Sequence, residues 1–228
     1  MKVQTAFLII TFIIVSKICF GQTGYEELKN ENFDEAYKKL LPLANQDDSL
    51  AQFCIAMMYD AGKGLKQDQS MACHWYNKSG MNGHPIAQLY LGSMYESGQG
   101  CQQNMDSSLF WYQKAAMNGH PDGAFNLGKL YEMKELPFYN DSLSIIWYTK
   151  ASELGHTRAM GKLAVKLFLK QDLIMAHVWS NIAAENDAIQ KGTSTRILVE
   201  KYMTEEQIEE AIKIKLEKYK HWKELKEN

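Results

Sequence analysis

Hydrophobic residues recur at helical spacing in pairs of short segments that glycines separate. Residues 50–61 carry apolar side chains on one helical face, and Gly62 ends that segment. Residues 69–82 show the same spacing and end at Gly83, where glycine favours a left-handed backbone because it has no Cβ. Pro85 then suits the first turn of another helix, because that position needs no N–H donor. The pattern predicts tandem helix pairs.

The pattern repeats every 36 residues along most of the chain. The glycine of the turn and the histidine after it recur together, at Gly83-His84, Gly119-His120 and Gly155-His156. Aromatic residues keep the same register, and large aromatic side chains would fill the joints between stacked helices. The predicted structural core of the repeats comprises Tyr59, Trp75, Tyr95, Trp111, Tyr131, Trp147 and Trp179.

A period of this length indicates stacked units, because one helix pair cannot bury its apolar face alone. We therefore predict an all-α fold, an αα superhelix (solenoid) of helix pairs with a C-terminal capping helix. Small residues at Ala56, Gly92 and Gly128 are expected to let neighbouring helices approach closely. The predicted organisation is a signal peptide (1–21), an N-terminal partial repeat and cap (22–47), repeats at 48–83, 84–119 and 120–155, a shortened repeat (156–187) and C-terminal capping helices (188–228).

The first 21 residues have the features of an export signal. Lys2 supplies a positive start, residues 6–15 are apolar apart from Thr11, and Gly21 offers a small residue for cleavage. An uncleaved anchor and a lipoprotein are the alternatives, although Lys17 interrupts the run well before the ~20 apolar residues of a spanning helix. We predict a secreted or periplasmic protein with no membrane association beyond this signal.

Charge and cysteine content limit the classes of partner and site. A formal net charge of −2 argues against nucleic-acid binding, which normally needs a basic face. Export would leave Cys54, Cys73 and Cys101 in a compartment where disulfides can form. An odd number cannot pair fully within one chain, so at least one is a free thiol or an intermolecular partner. Burial as small apolar residues is an equally good interpretation for Cys54 and Cys73.

The repeated pattern resembles the Sel1-like repeat, a relative of the tetratricopeptide repeat. The second unit carries the resemblance through Ala87, Leu91-Gly92, Tyr95, Gly98-Gln99-Gly100, Asn104, Trp111-Tyr112, Ala115-Ala116 and Gly119. The third unit departs from it, because residues 133–139 lack both loop glycines, so that loop should be reshaped. Residues 202–207 look like the stretch that often follows the last Sel1-like repeat, and Thr204 with Gln207 forms a potential capping box. The resemblance implies a scaffold for protein–protein interactions.

Candidate catalytic and metal sites are not evident in the sequence. His84, His120 and His156 occupy equivalent positions, and neighbouring helices pack roughly 8–10 Å apart, too far for a shared ion. Their expected role is local, at the turn. Walker A, HExxH, GxSxG and SxxK motifs are all missing from the sequence. We predict no catalytic residues, no metal and no cofactor, and hence a binding protein rather than an enzyme.

A surface for a partner is predicted on the first helix of each unit, which should line the concave side of the array. The positions opposite the repeated core form an apolar ridge beside an acidic stripe. They are Phe53, Met57, Asp60, Leu89, Ser93, Glu96, Phe125, Lys129 and Glu132. This surface would take a protein or peptide with apolar anchors and some positive charge. Alternatively, the aromatic residues pack against neighbouring units and the acids are solvated.

Three functions are compatible with these patterns. The first is an exported scaffold that binds a protein or peptide partner on its concave face. The second is a secreted enzyme of the β-lactamase or penicillin-binding type, which has been linked to some cysteine-rich members of the family. The third is a structural accessory protein of an envelope complex, which would use its capping regions for contacts.

Overall fold

The structure is a computed structural model that describes residues 24–186 and 191–227. The predicted signal peptide, 1–21, lies outside the described residues. Within the described ranges the chain is helical and contains no strand. The helices are α1 (Tyr25–Lys29), α2 (Phe33–Ala44), α3 (Ser49–Ala61), α4 (Gln69–Met81), α5 (Pro85–Ser97), α6 (Met105–Met117), α7 (Pro121–Glu132), α8 (Asp141–Glu153), α9 (Thr157–Leu169), α10 (Leu173–Asn186), α11 (Lys191–Glu200) and α12 (Glu205–Glu227).

Two compact units make up the chain, one ending at Trp111 and the other beginning at Tyr112. In the first unit α2 packs on α3, α3 on α4 and α4 on α5. In the second unit α7 packs on α8, α8 on α9 and α9 on α10, after which α11 and α12 cover α10. Consecutive helix pairs therefore pack in chain order. The predicted all-α fold of solenoid-type helix pairs is confirmed.

Side-chain caps and left-handed glycines define the ends of the helices. Asp48 and Asp68 cap α3 and α4 by accepting backbone N–H bonds of 2.7 and 3.0 Å. Gly83 follows α4 with a φ of 86°, which confirms the predicted left-handed turn. The backbone N–H of Asp68 also bonds to the carbonyl of Tyr59 (3.0 Å), and the same bond recurs between Asn104 and Tyr95 (2.9 Å) and between Asn140 and Tyr131 (2.9 Å). These bonds hold the two ends of each repeat loop together.

The core is centred on a set of tyrosines that differs from the predicted one. Tyr76, Tyr112 and Tyr148 are the largest fully buried side chains. Of the predicted core residues, Trp75, Trp111 and Trp179 are buried, whereas Tyr59, Tyr95, Tyr131 and Trp147 are only half-buried. For Tyr59 the reason is its hydroxyl, which lies 3.5 Å from the hydroxyl of Tyr37 in a partly buried position. Each Trp-Tyr pair therefore places the tyrosine deeper than the tryptophan.

Close approach at small residues is seen where α7 meets α8. A Cβ at Gly128 would lie 2.8 Å from the ring of Tyr148, closer than side chains tolerate. Ala56 and Gly92 are likewise buried. The prediction that small residues admit a neighbouring helix is confirmed at Gly128.

The C-terminal region begins with the predicted capping box. The backbone N–H of Gln207 bonds to Thr204 Oγ1 (3.3 Å), and the backbone N–H of Thr204 bonds to Gln207 Oε1 (3.0 Å). α12 then packs on α10, and its Ala211 is fully buried, while Ile212 and Leu216 are exposed. None of the helices in residues 24–186 and 191–227 has the length and hydrophobicity of a membrane span.

Candidate functional site

A cleft of about 330 Å³ lies between α7 and α9 in the second unit. Phe125, Lys129 and Glu132 project into it from one face of α7, because residues four and three positions apart share a face of a helix. These are the three partner-binding residues predicted for the third repeat. The lining is formed by Phe125, Asn126, Lys129, Glu132, Met133, Arg158 and Lys162.

The floor of the cleft is an aromatic ring with two basic neighbours. The imidazole of His156 stacks on Phe125 with a centroid separation of 4.2 Å. The Arg158 guanidinium lies 5.0 Å from the centroid of the same ring, a cation–π geometry. Phe125 is only 6% exposed, so most of its surface is used inside the protein. The ring serves to hold Arg158 at the cleft rather than to project towards a partner.

The hydrogen bonds of His156 define its tautomer. Its Nδ1 accepts the backbone N–H of Ala159 (3.0 Å), so Nε2 carries the proton and donates to Asp122 Oδ1 (3.0 Å). This hydrogen bond is the main reason that the pKa of Asp122 lies below its usual value. His84 also caps its helix, through the backbone N–H of Ala87 (3.3 Å). The predicted local role at the turn is confirmed for His84 and His156.

The third histidine of the series is different. His120 occupies the same position before α7, but its side chain makes no capping hydrogen bond. Its Nδ1 lies 3.9 Å from Asp122 Oδ2. Burial lowers the pKa of His120, more strongly than the nearby Asp122 carboxylate raises it. Among the described residues, no group of three or more His, Cys, Asp and Glu side chains has the arrangement of a metal site.

Glu132 is the centre of an ion-pair network at the edge of the cleft. Its carboxylate accepts a hydrogen bond from the Tyr148 hydroxyl (2.8 Å) and pairs with Lys162 (3.0 Å) and Lys166 (3.2 Å). Lys166 also pairs with Asp141 (2.8 Å). Burial alone would raise the pKa of Glu132, but the hydrogen bonds from Tyr148 and the lysines hold it below its usual value.

This network changes the predicted electrostatics. We expected the acidic position to face a partner with positive charge, but lysines of the same protein already neutralise Glu132. The lining of the cleft contains three cations, Lys129, Arg158 and Lys162, and one carboxylate. The expectation of an acidic surface is therefore wrong for this cleft. The sequence pattern considered the first helices of three repeats one at a time, and the basic side chains come from α9 in the next repeat.

In the first repeat, Phe53 is equivalent to Phe125 and also packs inside the protein. Phe53 is 6% exposed and stacks on the imidazole of His84 at a centroid distance of 4.5 Å. Asp60 accepts hydrogen bonds from the side chains of Gln69 (2.8 Å) and Tyr76 (3.5 Å). The apolar ridge therefore follows the alternative interpretation at Phe53, namely packing against its neighbours.

The remaining predicted positions lie at different depths on their helices. Met57 is half-buried on α3. On α5, Leu89 and Glu96 are half-buried and Ser93 is exposed. Their role in partner binding stays a prediction, and in the third repeat the structure brings three predicted residues together in a cleft.

Two of the three cysteines form a disulfide that the sequence left open. Cys73 on α4 is bonded to Cys101 in the loop between α5 and α6, with Cα atoms 6.1 Å apart. Cys54 is the free thiol, and its burial raises the thiol pKa far above the usual range. Burial as a small apolar residue is thus correct for Cys54 and wrong for Cys73. The bond joins the first two predicted repeats.

A polar contact that sequence reasoning missed connects successive helix pairs. Gln52 is fully buried, and its side-chain amide donates to the carbonyl of Ala44 (2.9 Å) while its Oε1 accepts from Asn82 (2.9 Å). Gln88 donates to the carbonyl of Gly80 in the same manner (2.9 Å). Glutamine recurs at the same repeat position, at Gln52 and Gln88, and this recurrence could have indicated a structural role for the side chain.

Comparisons with known proteins agree with the helix-pair architecture. A family model described as the Sel1 repeat matches residues 49–84, 85–120 and 121–156. A solved Sel1 repeat protein from Oxalobacter formigenes is 28% identical, with 76% of this chain and 72% of that chain covered and a TM-score of 0.69. A protective antigen of uropathogenic Escherichia coli with an SLR fold is 19% identical, with 83% of this chain and 65% of that chain covered and a TM-score of 0.35. Comparison with curated proteins gives no match.

Proposed function

The chain belongs to the Sel1-like repeat family, and from this premise we propose that it is an exported scaffold that binds a protein or peptide partner on the first-helix face of its repeats. Repeat proteins of this type offer extended surfaces made from a common frame and a few variable side chains. Because a fold does not determine a function by itself, the proposal depends on the site.

The observation that carries the proposal is the cleft between α7 and α9. Three positions selected from the sequence, Phe125, Lys129 and Glu132, line it together with Arg158 and Lys162. A concave site with an apolar floor and several charged side chains at its edge has the composition of a recognition site.

Site-specific photocrosslinking tests this function. A benzoylphenylalanine at Asn126 would sit in the lining of the cleft, whereas the same group at Glu153 would sit on the exposed surface of α8. In cells of the source organism, we expect discrete crosslinked species at Asn126 that excess unlabelled chain suppresses. The same species at both positions, or none at Asn126, would remove the cleft as the binding surface.

Export is part of the proposal and has independent support in the disulfide. Disulfides persist in oxidising compartments, and Cys73 and Cys101 are bonded. Cell fractionation with intact mass measurement tests it: the expected product is a chain in the periplasm or medium that lacks residues 1–21. A chain that keeps its N-terminus in the membrane fraction would indicate an anchor instead.

A second candidate is an accessory role in which the C-terminal cap makes the contact. Ile212 and Leu216 lie four residues apart on α12 and are 43% and 62% exposed. A photocrosslinker at Leu216 that captures a partner while one at Asn126 does not would favour this role.

The β-lactamase-type alternative receives no support from the cleft. None of the seven lining residues is a serine or a cysteine, so the described cleft has no acyl-accepting nucleophile of that class. Sel1 repeats are generally non-catalytic frames. A nitrocefin assay on purified protein is expected to show no hydrolysis above background.

A further inference from the structure

The cleft of the second unit presents cations from two helices. Arg158 and Lys162 lie four residues apart on α9, so their side chains share a face, and Lys129 lines the cleft from α7. We propose that this cleft recognises the acidic side chain of an extended peptide segment, an inference that rests on the scaffold function proposed above. It assigns to the partner the opposite charge from the one that the sequence suggested.

Arg158 is the group best placed to bind a carboxylate. Its guanidinium is held over the ring of Phe125, with 5.0 Å between the guanidinium carbon and the ring centroid. A planar guanidinium can donate two parallel hydrogen bonds to one carboxylate, and an ordered side chain loses less entropy on binding. The carboxylate of Asp122 interacts electrostatically with Arg158, and it also accepts a hydrogen bond from His156.

Glu132 does not cancel the positive charge of the cleft, because Lys166 pairs with it from outside the lining. The Lys166 side chain is 11% exposed and lies between Glu132 (3.2 Å) and Asp141 (2.8 Å). Asp141 pairs in addition with Lys170 (3.2 Å). The carboxylate of Glu132 therefore has the half-buried Lys166 and the Tyr148 hydroxyl as partners even if Lys162 turns away.

Lys162 can be shared with a ligand. Its side chain is 51% exposed, although its ammonium lies 3.0 Å from Glu132. Exposed ion pairs of this kind contribute little to stability, so an incoming carboxylate can compete for the ammonium. Arg158 and Lys162 would then bind the same acidic side chain from one helix face.

The apolar part of the lining defines a second feature of the ligand. Met133 borders the same cleft as Arg158 and is 36% exposed, so an apolar side chain next to the acidic one would contact it. A volume of about 330 Å³ lies at the lower end of the range for ligand pockets, roughly 300–1,000 Å³, and admits one or two side chains. A nucleic acid is disfavoured by the overall charge of −2.

Fluorescence anisotropy with defined peptides tests the proposal. The probe is a labelled, C-terminally amidated peptide of alternating glutamate and leucine flanked by glycine and serine, and matched peptides carry glutamine or lysine instead of glutamate. With the purified full chain, we expect the glutamate peptide to bind at least tenfold more tightly than the other two. High salt should weaken this binding, because the contacts are ionic.

Variants of the protein localise the effect. Arg158→Gln should weaken binding of the glutamate peptide at least tenfold, and Arg158→Lys should give a smaller loss because the charge remains. Lys201→Gln removes the same charge from an exposed position outside the cleft and should leave binding unchanged. Melting curves would verify that each variant is folded. Equal binding of the glutamate and lysine peptides, or an Arg158→Gln variant with wild-type affinity, would overturn the proposal.

A further arm uses phosphatidylglycerol vesicles, which present anionic headgroups instead of carboxylates. Cosedimentation that depends on Arg158, without binding of the glutamate peptide, would also overturn the proposal in favour of a lipid surface. The scaffold function is judged separately by the Asn126 crosslink. A partner captured there that binds equally well to Arg158→Gln would contradict the acidic-peptide assignment and leave the scaffold function standing.

Discussion

The hydroxyl of Tyr148 donates a 2.8 Å hydrogen bond to Oε2 of Glu132, which lies 16 residues earlier in the chain. Tyr76 and Asp60 have the same separation and are in contact at 3.5 Å. Both tyrosine rings are fully buried. An acidic residue at the end of the first helix thus satisfies the hydroxyl of the second-helix tyrosine in each of these two repeats.

Removal of this hydroxyl should destabilise the second unit modestly. We expect Tyr148→Phe to lower the free energy of unfolding by about 1.5 kcal/mol, because one hydrogen bond to a charged group is lost while Glu132 keeps its lysine partners. Urea unfolding followed by tryptophan fluorescence measures the change. The control is Tyr139→Phe, at a 42% exposed tyrosine, which should have little effect. Equal losses in the two variants would show that the buried bond contributes nothing.

Acid should weaken the protein through the same network. The pKa values of Glu132 and Asp141 lie below their usual values in the folded state, so the unfolded chain binds protons more readily. Their stabilising contribution is complete above the unfolded values, about 4.3 for Glu and 3.9 for Asp, and is lost as pH falls through the lower folded values. Stability measured between pH 6 and pH 3 should fall less steeply in Glu132→Gln than in the wild type. Identical slopes would contradict this assignment.

Two glycines on neighbouring helices should respond to alanine with opposite signs. A Cβ at Gly128 would meet the Tyr148 ring at 2.8 Å, whereas a Cβ at Gly161 within α9 would have no neighbour inside 4 Å. Gly128→Ala should cost roughly 1–3 kcal/mol by overpacking. Gly161→Ala should stabilise by about 0.5–1 kcal/mol, because alanine loses less backbone entropy in a helix. Thermal melts compare the two directly, and the same sign for both would disprove the packing argument.

The buried amide of Gln52 should contribute more to the free energy of unfolding than an exposed glutamine does. Gln52→Ala removes the hydrogen bonds that the buried amide makes with the carbonyl of Ala44 and with Asn82, which keep only their longer contacts with Asp47 (3.2 and 3.3 Å), and we expect a loss of about 1–3 kcal/mol. The matched control is Gln99→Ala in an exposed loop, which should change stability by less than about 0.5 kcal/mol. Denaturant unfolding of both variants measures the difference. A loss at Gln52 no larger than at Gln99 would show that the contact is replaced by water without cost.

Reduction should lower the stability of the first unit. The Cys73–Cys101 bond closes a loop with a sequence separation of 28, for which roughly 2–4 kcal/mol is typical. The melting temperature should fall in reductant for the wild type and stay unchanged for the Cys73→Ala/Cys101→Ala variant, which serves as the control. Peptide mass spectrometry after denaturing alkylation should find Cys54 labelled and the other two unlabelled. Three labelled cysteines in exported protein would refute the bond.

Local features were predictable from the sequence, because neighbouring residues determine them. The left-handed turn at Gly83, the local role of His84 at its turn and the Thr204–Gln207 box each depend on a few consecutive residues. The Cys73–Cys101 pairing was not predictable, because spacing alone does not reveal which loop packs on which helix.

The charge of the cleft escaped prediction for a similar reason. The sequence pattern compared positions within each first helix separately. Arg158 and Lys162 line the cleft from α9, the first helix of the following repeat. Only the packing of helices from successive repeats shows that lysines surround Glu132.

The loop after α7 keeps the backbone bond found in the other repeat loops but differs from them in sequence. The backbone N–H of Asn140, at the end of the loop, bonds to the carbonyl of Tyr131 in the last turn of α7, as in the other repeats. Residues 133–139 nevertheless lack both repeat glycines, and Met133 borders the cleft. The sequence of this loop can therefore differ from that of the other repeat loops while the backbone bond at its end is kept. An exchange of its residues would change the surface beside the cleft, while retaining Phe138 would keep the edge contact of its ring with Tyr131 (6.3 Å between centroids).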